Sequence, residues 1–238
     1  MELTLVDNPT ELAQRAAAWV TDTIERVLAG QPRFTIALSG GSTPKALHEL
    51  LAKPPLRDRI DWGRVHVFWG DERCVPFADD RNNARMAYDT LLNHVAVRTE
   101  HIHVMRTDLD PAASMADYAQ TLHHYFDGEP HTFDLVLLGM GDDGHTLSLF
   151  PGTDVVNENE AWTKAFYLPQ QDMYRLTLTA PVVNKAASVA FLVAGAAKAD
   201  ALRSVLTGPY QPDKYPAQRI KPELGTLTWF IDKAAKGE

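Results

Sequence analysis

Two hydrophobic rhythms take turns along this chain. Short runs that are almost wholly apolar, Phe34–Leu38, Val65–Trp69, Leu135–Leu138 and Ser188–Val193, read as strands covered on both faces. Residues 3–6, 175–178 and 227–231 supply further strands, and 102–105 a short one. Between them, apolar residues three and four apart predict helices. Over Pro9–Leu28, the residues Leu12, Ala16, Trp19, Val20, Thr23 and Val27 recur at helical spacing. Asn8 suits the cap, Pro9 the first turn, and Gly30 the position past the end. Further helices are predicted over 44–51, near 83–92, over Pro111–Phe126 and over 197–206.

Strands alternating with helices predict an α/β fold: an open, mostly parallel, Rossmann-like sheet with helices on both faces. Ligands of such sheets collect at the carboxyl ends of the strands. The polar clusters after Leu38, Trp69, Leu138 and Val193 all fall on that edge. There is no internal repeat and no low-complexity tract. The proline-bearing stretch 208–222 reads as an ordered loop rather than a linker, so one domain is expected over residues 1–238.

Composition narrows the function. Hydrophobic residues are 45% and charged residues 23% of 238, a balance that supports a full core. A net charge of −8 provides no basic field for nucleic acid or an anionic membrane, so a bound anion needs a few local donors. The single cysteine, Cys74, excludes an intramolecular disulfide and suits a reducing compartment. The amino-terminal stretch lacks the basic and apolar regions of a signal peptide. No apolar run approaches the roughly 18 residues of a membrane span. A cytoplasmic chain is expected.

Four constellations carry candidate chemistry. Ser39, Gly40, Gly41, Ser42 and Thr43 join a strand to a helix. Glycines let the backbone approach an oxyanion, and the helix start offers unpaired N–H groups; the plainer reading is a βα turn. Asp71-Glu72-Arg73 follows a strand end and sets two carboxylates beside a guanidinium; otherwise it is a solvated loop. The run Gly139-Met140-Gly141-Asp142-Asp143-Gly144-His145 fits the dinucleotide spacing, but Pro151-Gly152 breaks the helix that a nicotinamide site needs. It leaves a carboxylate, Asp143, and an imidazole, His145, held by glycines, and imidazole suits proton abstraction from water. Finally, Arg175, Lys198 and Arg219 stand at predicted strand–helix edges, where they complete an anion pocket or are surface charges. The other histidines lack a convincing ligand set, and no metal is assigned.

Six blocks now match a known family in order and spacing: SGGSTPKALHEL from Ser39, WGDERCVPFADDRNN from Trp69, LLGMGDDGHTLSLFPGT from Leu137, RLTLTAPVVNKA from Arg175, VAGAAKADAL from Val193 and PAQRIKPELGTLTWFID from Pro216. The chain resembles the glucosamine-6-phosphate isomerase/6-phosphogluconolactonase family, on its lactonase side, over nearly its whole length. Deaminases of the same layout carry Phe-Asn-Glu-Pro shortly after the histidine; five residues past His145 this chain has Phe150, which cannot ionise. The resemblance implies hydrolysis of 6-phospho-D-glucono-1,5-lactone to 6-phospho-D-gluconate in the oxidative pentose phosphate pathway, with no cofactor. It implies His145 as general base, Asp143 to orient it, and Asp71 at the pocket holding sugar hydroxyls or water. Ser42, Thr43, Arg73, Arg175, Lys198 and Arg219 become phosphate or sugar contacts. A non-catalytic sugar-phosphate sensor would keep the anion loop and lose the base.

Overall fold

In the computed structural model, which describes residues 1–238, nine strands and eight α-helices follow one another. The strands are β1 (Glu2–Val6), β2 (Phe34–Leu38), β3 (Val65–Trp69), β4 (Asp71–Arg73), β5 (Leu135–Leu138), β6 (Thr163–Leu168), β7 (Met173–Leu178), β8 (Ser188–Val193) and β9 (Thr226–Asp232). The helices are α1 (Pro9–Leu28), α2 (Ser42–Leu51), α3 (Leu56–Arg59), α4 (Asn83–Thr90), α5 (Pro111–Phe126), α6 (Ala180–Asn184), α7 (Ala199–Thr207) and α8 (Lys233–Lys236). Six strands form an all-parallel sheet in the order β1-β9-β8-β5-β2-β3.

The near-continuous apolar runs follow from burial on both faces. Ile36, Leu38, Val67, Trp69, Leu135, Leu137 and Leu192 point into one core with α1, α2 and α4. Their neighbours Ala37, Phe68, Val136, Leu138, Phe191 and Val193 point into the other, with α5, α6 and α7. The strand period of two thus sends every second side chain to the opposite layer. Helix α1 forms where its pattern predicts, with the Asn8 side chain accepting from the Glu11 N–H at 3.0 Å. Its end differs: Ala29 stays right-handed, so Gly30 is not a left-handed cap.

Three sequence expectations are corrected. Residues 102–105 are not a strand; Ile102 makes a single bridge to Val67 beyond the sheet edge. Residues 71–73 are not a loop, and 175–178 do not join the main sheet. Instead β4, β7 and β6 form a second, antiparallel sheet in that order, with Asp71 opposite Thr177 and Arg73 opposite Arg175. Gly70 is the junction: its N–H donates to Leu38 O of β2 and its carbonyl accepts from Leu178 N–H of β7, each at 2.8 Å.

This topology sets the site. The chain leaves β2 toward the core of α2 and leaves β5 toward the other core, through Leu147 and Leu149. Adjacent loops departing to opposite faces open a crevice at the carboxyl edge.

Candidate active site

A cavity of about 200 Å³ lies in that crevice. It is lined from the predicted set by Ser39, Gly40, Gly41, Asp71, Arg73, His145, Arg175 and Lys198. The lining also includes Asn83, Gly139, Met140, Gly141, Thr146 and Leu147.

The β2 loop offers backbone rather than hydroxyls. Ser39 is buried and its Oγ donates to Leu137 O at 2.8 Å, tying β2 to β5 beneath the cavity. Gly40 must be glycine, because a Cβ there would overlap the Asn83 amide. Gly41 has φ +104°, a region that side chains rarely adopt, and this turns the chain into α2. Helices α1, α4, α5 and α8 are each capped by their own Asn or Asp side chain, whereas α2 has no such cap. The N–H groups of Gly40 and Gly41 make no hydrogen bond within the protein. An uncapped helix start beside free amides suits an anion.

One wall is a buried polar network. Asp71 Oδ2 accepts from Ser148 Oγ at 2.7 Å and from Arg175 Nη2 at 2.9 Å. Arg175 also donates through Nε to Ser148 Oγ and through Nη1 to Gln171 Oε1, both at 3.0 Å. Burial pulls the Arg175 guanidinium below its ordinary range, against the opposing charge of Asp71. The pair is neutral as a unit, so the positive charge of the cavity comes from Arg73 and Lys198. Neither makes a salt bridge; the Arg73 guanidinium donates only through Nη1, to Arg81 O at 2.7 Å. Glu72 points away from the cavity into α4. Burial pushes its carboxyl up to about 7, while N–H groups of Asn83, Ala84 and Arg73 pull the other way.

His145 also lines the cavity. Its Nδ1 lies 2.6 Å from Asp143 Oδ1, which also accepts the His145 backbone N–H at 2.9 Å. Burial pushes the Asp143 carboxyl up, but these two donors and the imidazole charge outweigh it and hold it below the usual carboxylate range. With Nδ1 committed to a carboxylate, Nε2 is the free nitrogen. The ring stacks on Phe150 with centroids 4.2 Å apart. Gly141 permits the arrangement, since a Cβ there would strike the imidazole. Leu147 closes the loop in the left-handed region at φ +55°, at a cost of about 1–2 kcal/mol.

Not all predicted residues line the cavity. Ser42 and Thr43 open α2 just outside it, Ser42 exposed. Asp143 lies behind His145 rather than in the lining. Arg219 is not in the lining: its guanidinium donates to Asn159 Oδ1 at 2.7 Å, and Asn159 lines no part of the cavity either. Sequence reading missed Asn83, whose Nδ2 donates to Asp71 O at 2.9 Å, and Ser148. Larger surface hollows exist, and none contains His145. No helix is long and apolar enough to cross a membrane.

Comparison with known proteins bears on this geometry. The family described as glucosamine-6-phosphate isomerases/6-phosphogluconolactonase matches residues 7–229. A 6-phosphogluconolactonase of Synechocystis sp. is 41% identical over 232 residues, covering 96% of this chain and 94% of its own length. The crystal structure of a 6-phosphogluconolactonase from Thermotoga maritima superposes with a TM-score of 0.85 at 25% identity, covering 98% of this chain and 99% of that one. A monomeric glucosamine-6-phosphate deaminase, 22% identical with a TM-score of 0.85 over 100% of this chain and 99% of its own, shares the fold. The deaminase likeness speaks to architecture alone; the family match spans residues 7–229 and the Synechocystis relative 96% of the chain. This chain belongs to the glucosamine-6-phosphate isomerase/6-phosphogluconolactonase family.

Proposed function

We propose that this protein is a 6-phosphogluconolactonase, hydrolysing 6-phospho-D-glucono-1,5-lactone to 6-phospho-D-gluconate with His145 as general base. The observation that carries the reading is His145 itself, with Nδ1 fixed by Asp143 and the other nitrogen free at a cavity that also presents two cations. Nε2 takes a proton from water as its oxygen attacks C1, and Asp143 stabilises the imidazolium that forms. The tetrahedral intermediate collapses, the bond from C1 to the ring oxygen breaks, and the imidazolium returns its proton to that oxygen. Water is thereby consumed and a carboxylic acid released. A ring ester needs no metal-sized push if it is well placed, and placement falls to the remote phosphate.

For that phosphate the Gly40 and Gly41 amides, the start of α2 with Ser42 and Thr43, Arg73 and Lys198 are the anion-binding group. Asp71 and Arg175, neutral together, face the sugar, and Asp71 Oδ1 makes no hydrogen bond within the protein. Phe150 beside the imidazole supports the lactonase over the deaminase, since no second carboxylate stands there to assist ring opening. The apolar core joining Leu138 of the parallel sheet to Leu176 of the second supports a single folding unit over 1–238. The free thiol of Cys74 supports a cytoplasmic home.

Purified protein given fresh lactone should release acid well above the spontaneous rate and should release no ammonia from glucosamine 6-phosphate. Ammonia without acid would select the deaminase; neither product would select the sensor.

A further inference from the structure

We infer that Ser148, which has no direct place in the lining, is the positioning residue that sets how Asp71 and Arg175 meet the sugar. The inference rests on the lactonase reading above and adds to it the residue that orients the sugar end of the site. Ser148 is completely buried, and its single hydroxyl serves both partners. It donates to Asp71 Oδ2 at 2.7 Å and accepts from Arg175 Nε at 3.0 Å. Its own N–H donates to Thr177 Oγ1 of β7 at 3.2 Å, which fixes the backbone from which the hydroxyl projects.

The consequence is geometric. A carboxylate beside a guanidinium prefers a two-pronged pairing, with both oxygens engaged by two parallel N–H groups. Here Ser148 takes Nε out of that pairing, so Arg175 meets Asp71 through Nη2 and Oδ2 alone. The hydroxyl therefore leaves Oδ1 as an acceptor for a sugar hydroxyl. Without it, Arg175 is free to swing into the two-pronged arrangement and occlude that oxygen. Ser148 lies three residues from His145, so the same short segment delivers both the base and the orienting hydroxyl.

Ser148→Ala should lower kcat/KM for the lactone about tenfold, the size expected for one hydrogen bond between charged partners. Most of the change should fall on KM. Binding of 6-phosphogluconate, followed by calorimetry, should weaken by a similar factor, whereas inhibition by inorganic phosphate, held by the other group of residues, should stay unchanged. In an Asp71→Asn background the Ser148→Ala effect should vanish, because it acts through that carboxylate. Ser148→Cys, which fills the space with a poor donor, should reproduce the loss if the alanine variant does not fold. Wild-type kinetics in the variants, a parallel loss of phosphate inhibition, or an effect that persists with Asp71→Asn would each overturn the inference while wild-type lactonase activity stands. A wild-type protein inactive on the lactone would instead remove the functional reading beneath it.

Discussion

His145 and Asp143 stand two residues apart, so one tight glycine loop delivers both base and orienter. Replacing His145 with Asn keeps a polar side chain and removes the proton acceptor. The expected result is a fall in kcat of about 100-fold or more with little change in KM, measured against spontaneous hydrolysis. Near-normal turnover would dismiss the imidazole as base. This pair was legible because its partners are neighbours in sequence beside a strand end. Ser148 and Asn83 were not, because the residue that explains both, Asp71, lies 77 and 12 positions away. Arg219 stands outside the lining; an edge position does not encode the side from which a guanidinium approaches. Arg175 lines the cavity, and the sequence alone does not show that its charge is answered there by Asp71.

Among elements, α2 makes the sharpest prediction. Gly41→Ala meets no atom closer than 3.9 Å, so its penalty comes from the φ of +104° and not from collision. Stability should drop by about 1–2 kcal/mol, and phosphate inhibition should weaken as the turn rearranges, read by thermal unfolding and by inhibition kinetics. An alanine with unaltered phosphate inhibition would detach this turn from anion binding. The parallel strands were legible because burial on both faces leaves an unmistakable apolar run. Strand β4 was not: Asp71, Glu72 and Arg73 have no apolar rhythm, and extended pairing with β7 overrides their polarity. The two inward charges are tolerated because Arg175 answers Asp71 and three N–H groups answer Glu72.

At the scale of the whole molecule, acid sensitivity follows from histidines outside the site. Burial lowers His48, His66 and His103 to about 4. His66 Nδ1 and His103 Nε2 both lie 2.8 Å from the Tyr125 hydroxyl, and the His101 ring stacks on His66 at 3.7 Å. Each depressed pKa means that the unfolded chain binds protons more readily, so the stability is whole above about 6.5 and drains as pH falls toward 4. Glu72, raised to about 7, acts in the opposite sense over part of that range, and three groups outweigh one. The melting temperature should therefore decline between pH 6.5 and 4.5, and His48→Gln should flatten the decline. A melting temperature constant over that interval would contradict it. The overall α/β architecture was readable from alternation alone; the second sheet was not, since the hairpin of β6 and β7 is stitched to β4 far back in the sequence, Asp71 opposite Thr177. That stitching has a mechanical corollary. One residue, Gly70, is welded to β2 through its N–H and to β7 through its carbonyl, and Leu147 fills the space a side chain there would need. The two sheets are thus pinned to each other at this residue, and turning one against the other would have to break backbone hydrogen bonds.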